Sequence, residues 1–351
     1  MAGVFGGLVN PSAQPTLTDM PDVDLVSPPP ESISTIAFSP VADHLAVGSW
    51  GPDVRIYDVG PQGQSQGKAL APHPGTVLDL CWTKDGTKLV SVGTDNAARM
   101  FDLLSGTSTQ VGQHDGPIKC VRWFEMPQGR ILATGSWDKM LKYWDLRSPN
   151  PLAVVELKER CYTMDVKNQV LAVGTADRHI QIFHLSNPIT PYKTVPSPLK
   201  WQTRTIALFP NADGYALGSI EGRVAIQKNY SFRCHRKDQT PGGKDQTLVF
   251  SVNDIKFHPV HGTLATCGSD GTVSIWDKDA RTRMKTFNAV PSPIVSASFN
   301  HTGTIFAYAA AYDWSRGHAG NVPSQWNKVL LHGCKEDEVR KRPPKPAMGH
   351  K

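Results

Sequence analysis

Apolar and polar residues alternate along most of this chain in short runs, as in Thr272-Val273-Ser274-Ile275-Trp276, and a period of two is the signature of a strand with one face buried. Gly, Asn, Asp, Ser and Pro cluster between the runs, where reversals of direction need them. No segment carries the 3.6-residue apolar period of a long helix. The pattern predicts an all-β protein built from many short strands.

The runs are organised into a repeat. An apolar strand is followed by a second strand ending in a small residue and Gly-Ser or Gly-Thr, then a turn, then a third strand ending in an aromatic. Six copies carry the glycines Gly48, Gly93, Gly135, Gly174, Gly218 and Gly268, at gaps of 45, 42, 39, 44 and 50 residues. Two copies are complete: Leu132-Ala133-Thr134-Gly135-Ser136-Trp137-Asp138 leading to Tyr143-Trp144-Asp145, and Leu264-Ala265-Thr266-Cys267-Gly268-Ser269-Asp270-Gly271 leading to Ile275-Trp276-Asp277. A period of about 40 to 45 residues with this phrase resembles the WD repeat, whose units are four-stranded propeller blades. A seventh unit keeps the pattern without the glycine, from Ile294 through Lys328 to Leu331. It lacks one strand, which Val23 to Val26 can supply, closing the ring and covering its edges. The expected organisation is a flexible segment over 1–20, a single seven-bladed WD-repeat β-propeller over 21–334, and a charged tail over 335–351.

Composition adds little to that picture but removes alternatives. With 39% hydrophobic and 19% charged residues among 351, the chain has material for a large core, and its net charge of +6 permits contact with nucleic acid or an acidic protein without requiring it. The six cysteines are far apart and no CxxC pair occurs, so neither zinc nor a redox dithiol is suggested and the thiols are expected to be reduced, in an intracellular protein. No basic leader and no run of about 20 apolar residues is found, so neither secretion nor membrane insertion is expected. No phosphate loop, dinucleotide fingerprint or zinc-protease motif is present, and no cofactor is expected.

Some polar residues imitate catalytic groups. His114, Thr134, Asp138 and Trp144 have the order of a hydrogen-bonded set that WD repeats use structurally, with the aspartate in a turn where it caps backbone donors and fixes the imidazole. That reading is preferred to a nucleophilic triad, and His73 with Asp95, and Asp270, fit the same part. His258 and His261 flank Pro259, a poor spacing for a metal. A non-enzymatic scaffold is expected.

Departures from the repeat mark candidate sites. Blade five reads Gly218-Ser219-Ile220-Glu221-Gly222-Arg223-Val224-Ala225-Ile226-Gln227, which sets Glu221 against Asp270, Arg223 against Thr272 and Gln227 against Trp276. Arg223 can pair with a carboxylate of a partner, or internally with Glu221. An aromatic and basic segment, Tyr230 to Lys237, and an insertion through Lys244 follow. In blade six Lys278, Arg281, Arg283 and Lys285 can track a phosphate backbone or form a solvated outer strand.

These segments, with Phe232-Arg233-Cys234-His235-Arg236, the run from Phe257 to Ala280 and Tyr312-Asp313-Trp314-Ser315-Arg316-Gly317-His318, resemble the mRNA export factors of the nuclear pore over most of residues 31–318. The related spindle-checkpoint propellers, which bind kinase-derived peptides, share part of this signature. Asp277-Lys278-Asp279-Ala280-Arg281-Thr282 and Tyr312-Asp313-Trp314-Ser315 favour the export factors. The resemblance implies a nuclear, pore-associated monomer that pairs with the acidic helical hairpin, or GLEBS motif, of a phenylalanine-glycine nucleoporin. It further implies that Arg223 meets a glutamate of that hairpin, with Phe232 and Trp276 in apolar contact, and that Lys278, Arg281 and Arg283 contact single-stranded RNA or an mRNP.

Overall fold

The turn residues reverse the chain and consecutive runs pair antiparallel, giving seven four-stranded sheets and one two-stranded sheet in a computed structural model that describes residues 16–126, 129–227, 230–241, 245–322 and 325–341. Blade one holds Ile33–Phe38, His44–Ser49, Asp53–Val59 and Ser65–Pro72. Blade six holds Val252–Phe257, Leu264–Gly268, Val273–Asp277 and Thr282–Thr286. The inner strand of each blade touches those of its two neighbours, and the seventh touches the first, so the ring is a seven-bladed β-propeller. Strand Val23–Asp24 is the outermost of blade seven, with Val23 opposite Leu331 and Asp24 opposite Leu330. It is shorter than the Val23 to Val26 expected, although the Leu25 N–H still donates to the Val329 carbonyl.

The repeat glycines are explained by how closely the blades stack. A Cβ on Gly48 would stand 2.7 Å from Cγ1 of Val77, and one on Gly135 would stand 2.5 Å from Sγ of Cys161, in each case on the inner strand of the next blade. Large apolar side chains fill the rest of each inter-blade layer. Phe183, Leu171 and Met164 of blade four lie fully buried with Leu141 and Tyr143 of blade three.

The channel side of an inner strand has no partner strand, so its N–H groups need other acceptors. Polar side chains of the preceding blade provide them. Asp79 accepts from Val121 N–H at 3.0 Å, Thr163 from Ile206 at 3.0 Å, Asp165 from Leu208 at 2.7 Å, Asp254 from Ala297 at 2.9 Å and Ser298 from Phe38 at 3.0 Å. Arg122 joins this network between two carboxylates, with Nη1 2.6 Å from Asp79 and Nε 3.7 Å from Asp165. One guanidinium therefore links the inner strands of blades two, three and four.

The start of the segment expected as a charged tail, from 335 onward, is packed against the ring. Residues Glu336–Val339 form one helical turn on which Glu338 and Val339 are buried, and Thr263 donates its hydroxyl to the Val339 carbonyl. The apolar Val339 and the paired Glu338 dock the turn on blades six and seven. The remainder, 342–351, and the segment 1–15 lie outside the described residues.

His332 sits between Asp22 at 2.6 Å and Glu338 at 3.0 Å, and Tyr308 donates to the same Asp22, so one imidazole ties both chain ends to blade seven. Burial acts to lower the His332 pKa, but its hydrogen bonds and charge interactions with Asp22 and Glu338 outweigh that and raise it to about 9. Glu338 is held down to about 2, the bonds from His332 and Lys285 overcoming its burial. A group raised from an ordinary value of about 6.5 stabilises fully below that pH and loses its contribution as pH rises through about 9. The carboxylate contributes above about 4.3 and loses its contribution as pH falls toward 2. We expect protease cleavage near the C-terminal turn to accelerate between pH 8 and 10 in the wild type, and His332→Gln to be cleaved at a rate that no longer changes over that range.

Candidate functional site

The His114 set is closed on itself. Asp138 accepts from Nδ1 at 2.8 Å, Thr134 Oγ lies 2.8 Å from Nε2, and the Trp144 indole donates to the same hydroxyl at 2.8 Å. Asp138 also accepts from the backbone of Asp115 and Met140. Burial lowers the His114 pKa against the pull of Asp138, and the Thr134 hydroxyl, fully buried and shared between the imidazole and the indole, is out of reach of a substrate. Blade two holds a shorter version, with His73 between Ser91 at 2.9 Å and Asp95 at 3.2 Å.

Blade six carries a full second set that the sequence reading missed in part. His235 contacts Asp270 at 2.9 Å and Thr266 at 3.0 Å, and Trp276 donates to Thr266 at 3.0 Å. His114 stands four residues before its inner strand, whereas His235 is separated from Val252 by the hairpin of strands Arg236–Gln239 and Gln246–Val249. That insertion hid the register. The pair His258 and His261 is also internal: His258 Nδ1 accepts from the backbone of Val260 and His261, and Nε2 lies 3.0 Å from the Gly303 carbonyl.

Phe232 and Trp276 meet in the groove between blades five and six, with ring centroids 4.5 Å apart, and Tyr230 lies 6.0 Å beyond Phe232. The outer strand of blade five, Tyr230–Arg233, is short and leaves both rings partly open. Around them stand the basic residues. Arg281 covers the Tyr230 ring at 4.7 Å, Arg283 the Trp276 ring at 5.8 Å and Lys278 the Phe209 ring at 4.8 Å. Asp279 is clamped by Lys278 and Lys341, which offsets its charge. Arg281 and Arg283 are exposed and meet no carboxylate among the described residues. The groove thus combines stackable rings with two unneutralised guanidinium groups.

Arg223 is placed apart from this groove. Val224 faces Phe232 across the strand pair and packs between blades five and six, while Ala225 packs between blades four and five, so Arg223 belongs to the opposite sheet face from Phe232 and Trp276. A partner touching all three would therefore meet Arg223 on one face of blade five and the pair Phe232 and Trp276 on the other. Arg223 stands at the rim where inner strands begin and third strands start, 3.9 Å from Glu221, a long contact that leaves Oε1 of Glu221 buried without a hydrogen-bond partner among the described residues. Arg236 donates to the Glu221 carbonyl at 2.9 Å from the next connection on the same rim.

This rim also carries apolar side chains to which the sequence reading gave no site role. Trp201 is 60% exposed, Trp137 38% and Ile220 38%, and Trp50 stacks on Trp314 with centroids 3.6 Å apart. All lie in connections at one end of the ring. Apolar side chains gathered at least partly exposed beside a guanidinium are the composition of surfaces that a partner covers.

Comparisons with known proteins agree with this architecture. The WD domain, G-beta repeat model matches residues 26–58, 64–102, 106–145 and 243–277. The chain is 48% identical to the mRNA export factor GLE2 of Chaetomium thermophilum over 98% of its own length and 99% of that protein. It is 50% identical to the Poly(A)+ RNA export protein of Schizosaccharomyces pombe, over 92% of this chain and 94% of the other, and 45% identical to the protein Rae1 of Drosophila melanogaster, over 92% and 96%. Identity at this level across whole chains, with a ring of seven blades beneath it, makes the chain a member of the mRNA export factor family of WD-repeat propellers.

Proposed function

We propose that this protein is a non-enzymatic adaptor of mRNA export at the nuclear pore, whose blade-bearing rim binds the GLEBS hairpin of a phenylalanine-glycine nucleoporin and whose groove between blades five and six binds single-stranded RNA. The observation that carries the first half is the apolar rim of Trp50, Trp137, Trp201, Ile220 and Trp314 with Arg223 at its edge. A rigid ring loses little freedom on binding, and a two-point contact from Arg223 to a glutamate would fix the register of a docked hairpin. The protein then acts as a monomer that forms a heterodimer with its nucleoporin, in the nucleus and at its envelope.

The second half rests on Phe232 and Trp276 flanked by Lys278, Arg281 and Arg283. Rings offer sequence-tolerant stacking to unpaired bases, and the cations follow the phosphates. Three phosphate contacts to a single strand give a slope of about −2 for log affinity against log salt. Replacing Lys278, Arg281 and Arg283 together with glutamine is expected to bring the slope measured by fluorescence anisotropy with a poly(A) oligomer close to zero. An unchanged slope would assign RNA to another surface.

A further inference from the structure

The turn Lys278-Asp279-Ala280-Arg281 joins the third strand of blade six, Val273–Asp277, to its outer strand, Thr282–Thr286. The Asp277 carboxylate accepts from the Asp279 N–H at 2.9 Å and the Ala280 N–H at 3.1 Å, which holds the turn in shape. Asp279 is thereby set among the cations assigned to RNA. Its Oδ1 lies 2.6 Å from Lys278 Nζ and its side chain is half exposed, so a carboxylate with no other partner here would cancel the charge of Lys278 and repel a phosphate.

The second oxygen of Asp279 is met from the far end of the chain. Lys341 Nζ lies 2.5 Å from Oδ2. What brings residue 341 beside residue 279 is the helical turn Glu336–Val339, which grips blade six at several elements. Val339 is buried in the apolar layer that Phe287 and Met284 share, its carbonyl accepts from the Thr263 hydroxyl at 2.7 Å, and Glu338 meets Lys285 of the outer strand at 3.2 Å. Two ammonium groups against one carboxylate leave the trio with one positive charge in excess. Without Lys341 the remaining pair of Lys278 and Asp279 is neutral. The contact of Lys341 with Asp279 is solvent-exposed and adds little to folding, so its consequence is the charge it leaves on the surface.

We infer that the docked C-terminal turn is a positioning element of the RNA groove, in which Lys341 neutralises Asp279 so that the charge of Lys278 acts on the phosphates. The inference rests on the RNA-binding reading of the groove and adds its regulation. Undocking the turn lowers the affinity for RNA, while Phe232, Trp276, Arg281 and Arg283 stay as they are.

The test is fluorescence anisotropy with a poly(A) oligomer over a salt series, on wild type, Lys341→Gln, Asp279→Asn and the double variant Asp279→Asn/Lys341→Gln. Lys341→Gln is expected to weaken binding about five- to tenfold at about 50 mM salt and to bring the slope of log affinity against log salt from about −2 to about −1.3, the loss of one effective single-strand phosphate contact. The double variant is expected to return both to wild type, because Lys278 beside an amide keeps its charge without a second cation, and Asp279→Asn alone is expected to bind at least as tightly as wild type. A loss that persists in the double variant would put Lys341 itself on a phosphate, and an unchanged affinity and slope in Lys341→Gln would separate the turn from the groove; either overturns the inference. Val339→Asn, which removes the apolar anchor of the turn, is expected to match Lys341→Gln and to be rescued by the same Asp279→Asn. Wild-type affinity in Val339→Asn, with proteolysis showing the turn released, would overturn the role of docking, and Lys341→Gln provides the reading should Val339→Asn fold poorly. A wild-type slope that replacement of Lys278, Arg281 and Arg283 leaves unchanged defeats the RNA reading and this inference with it, whereas binding that depends on those three but not on Lys341 defeats the inference alone.

Discussion

Replacing Arg122 with methionine is expected to lower the unfolding free energy by about 3 kcal/mol, read as a shift of the urea midpoint. The side chain is tightly held, 22% exposed, between Asp79 and Asp165. Both carboxylates are committed to backbone groups of the next blade, Asp79 to Val121 and Asp165 to Leu208, so neither can turn to water when the cation goes. Two anions are then left near one another at the channel wall. Methionine retains most of the aliphatic volume, which confines the loss to charge. Combining it with Asp79→Asn and Asp165→Asn should recover part of the stability, because the amides still accept from the same N–H groups without repelling each other. Equal stability of Arg122→Met and wild type would mean that the inner ring does not depend on its charged network.

Removing the Arg223 guanidinium should have a larger effect on binding and almost none on folding. Its contact with Glu221 is 3.9 Å long and partly exposed, a geometry in which an ion pair contributes little. Arg223→Ala is therefore expected to unfold within about 0.5 kcal/mol of wild type, as surface substitutions commonly do. Against the GLEBS hairpin it is expected to cost about 2 to 5 kcal/mol, because a glutamate of the partner would be buried without its two-point donor. Arg223→Lys should recover only part of that, since an ammonium cannot make the paired contact. Calorimetric titration of the three proteins reads the difference. A loss of stability in Arg223→Ala comparable to its loss of affinity would identify the Glu221 pair as its true partner instead.

The propeller was legible in the sequence because its repeat is a packing requirement. Gly48 and Gly135 must be small where the next blade approaches, and the Asp138 and Asp270 turns must satisfy the same donors in each copy, so the phrase returns with the period of a blade. The closing strand could be placed because blade seven lacked a fourth. What escaped was whatever depends on a face or on a connection. His235 was read as part of a basic segment because a hairpin separates it from its blade. The resemblance puts Arg223, Phe232 and Trp276 together at one partner without saying on which face each stands, and that depends on strand pairing, which sets Arg223 and Phe232 on opposite faces of blade five. The helical turn at Glu336–Val339 was read as tail because its charges hid Glu338 pairing with His332 and Lys285. The apolar rim is assembled from five separate connections of the chain, and no local pattern announces it.

The function rests most directly on which acidic hairpin the rim prefers. Calorimetric titration of the intact protein with a nucleoporin-derived GLEBS hairpin and with a kinase-derived one, at two salt concentrations, measures that preference. The expected result is tighter binding of the nucleoporin hairpin at both concentrations. Preference for the kinase hairpin would make the protein a checkpoint-type scaffold and contradict the export reading, and binding of neither would remove the rim from the account.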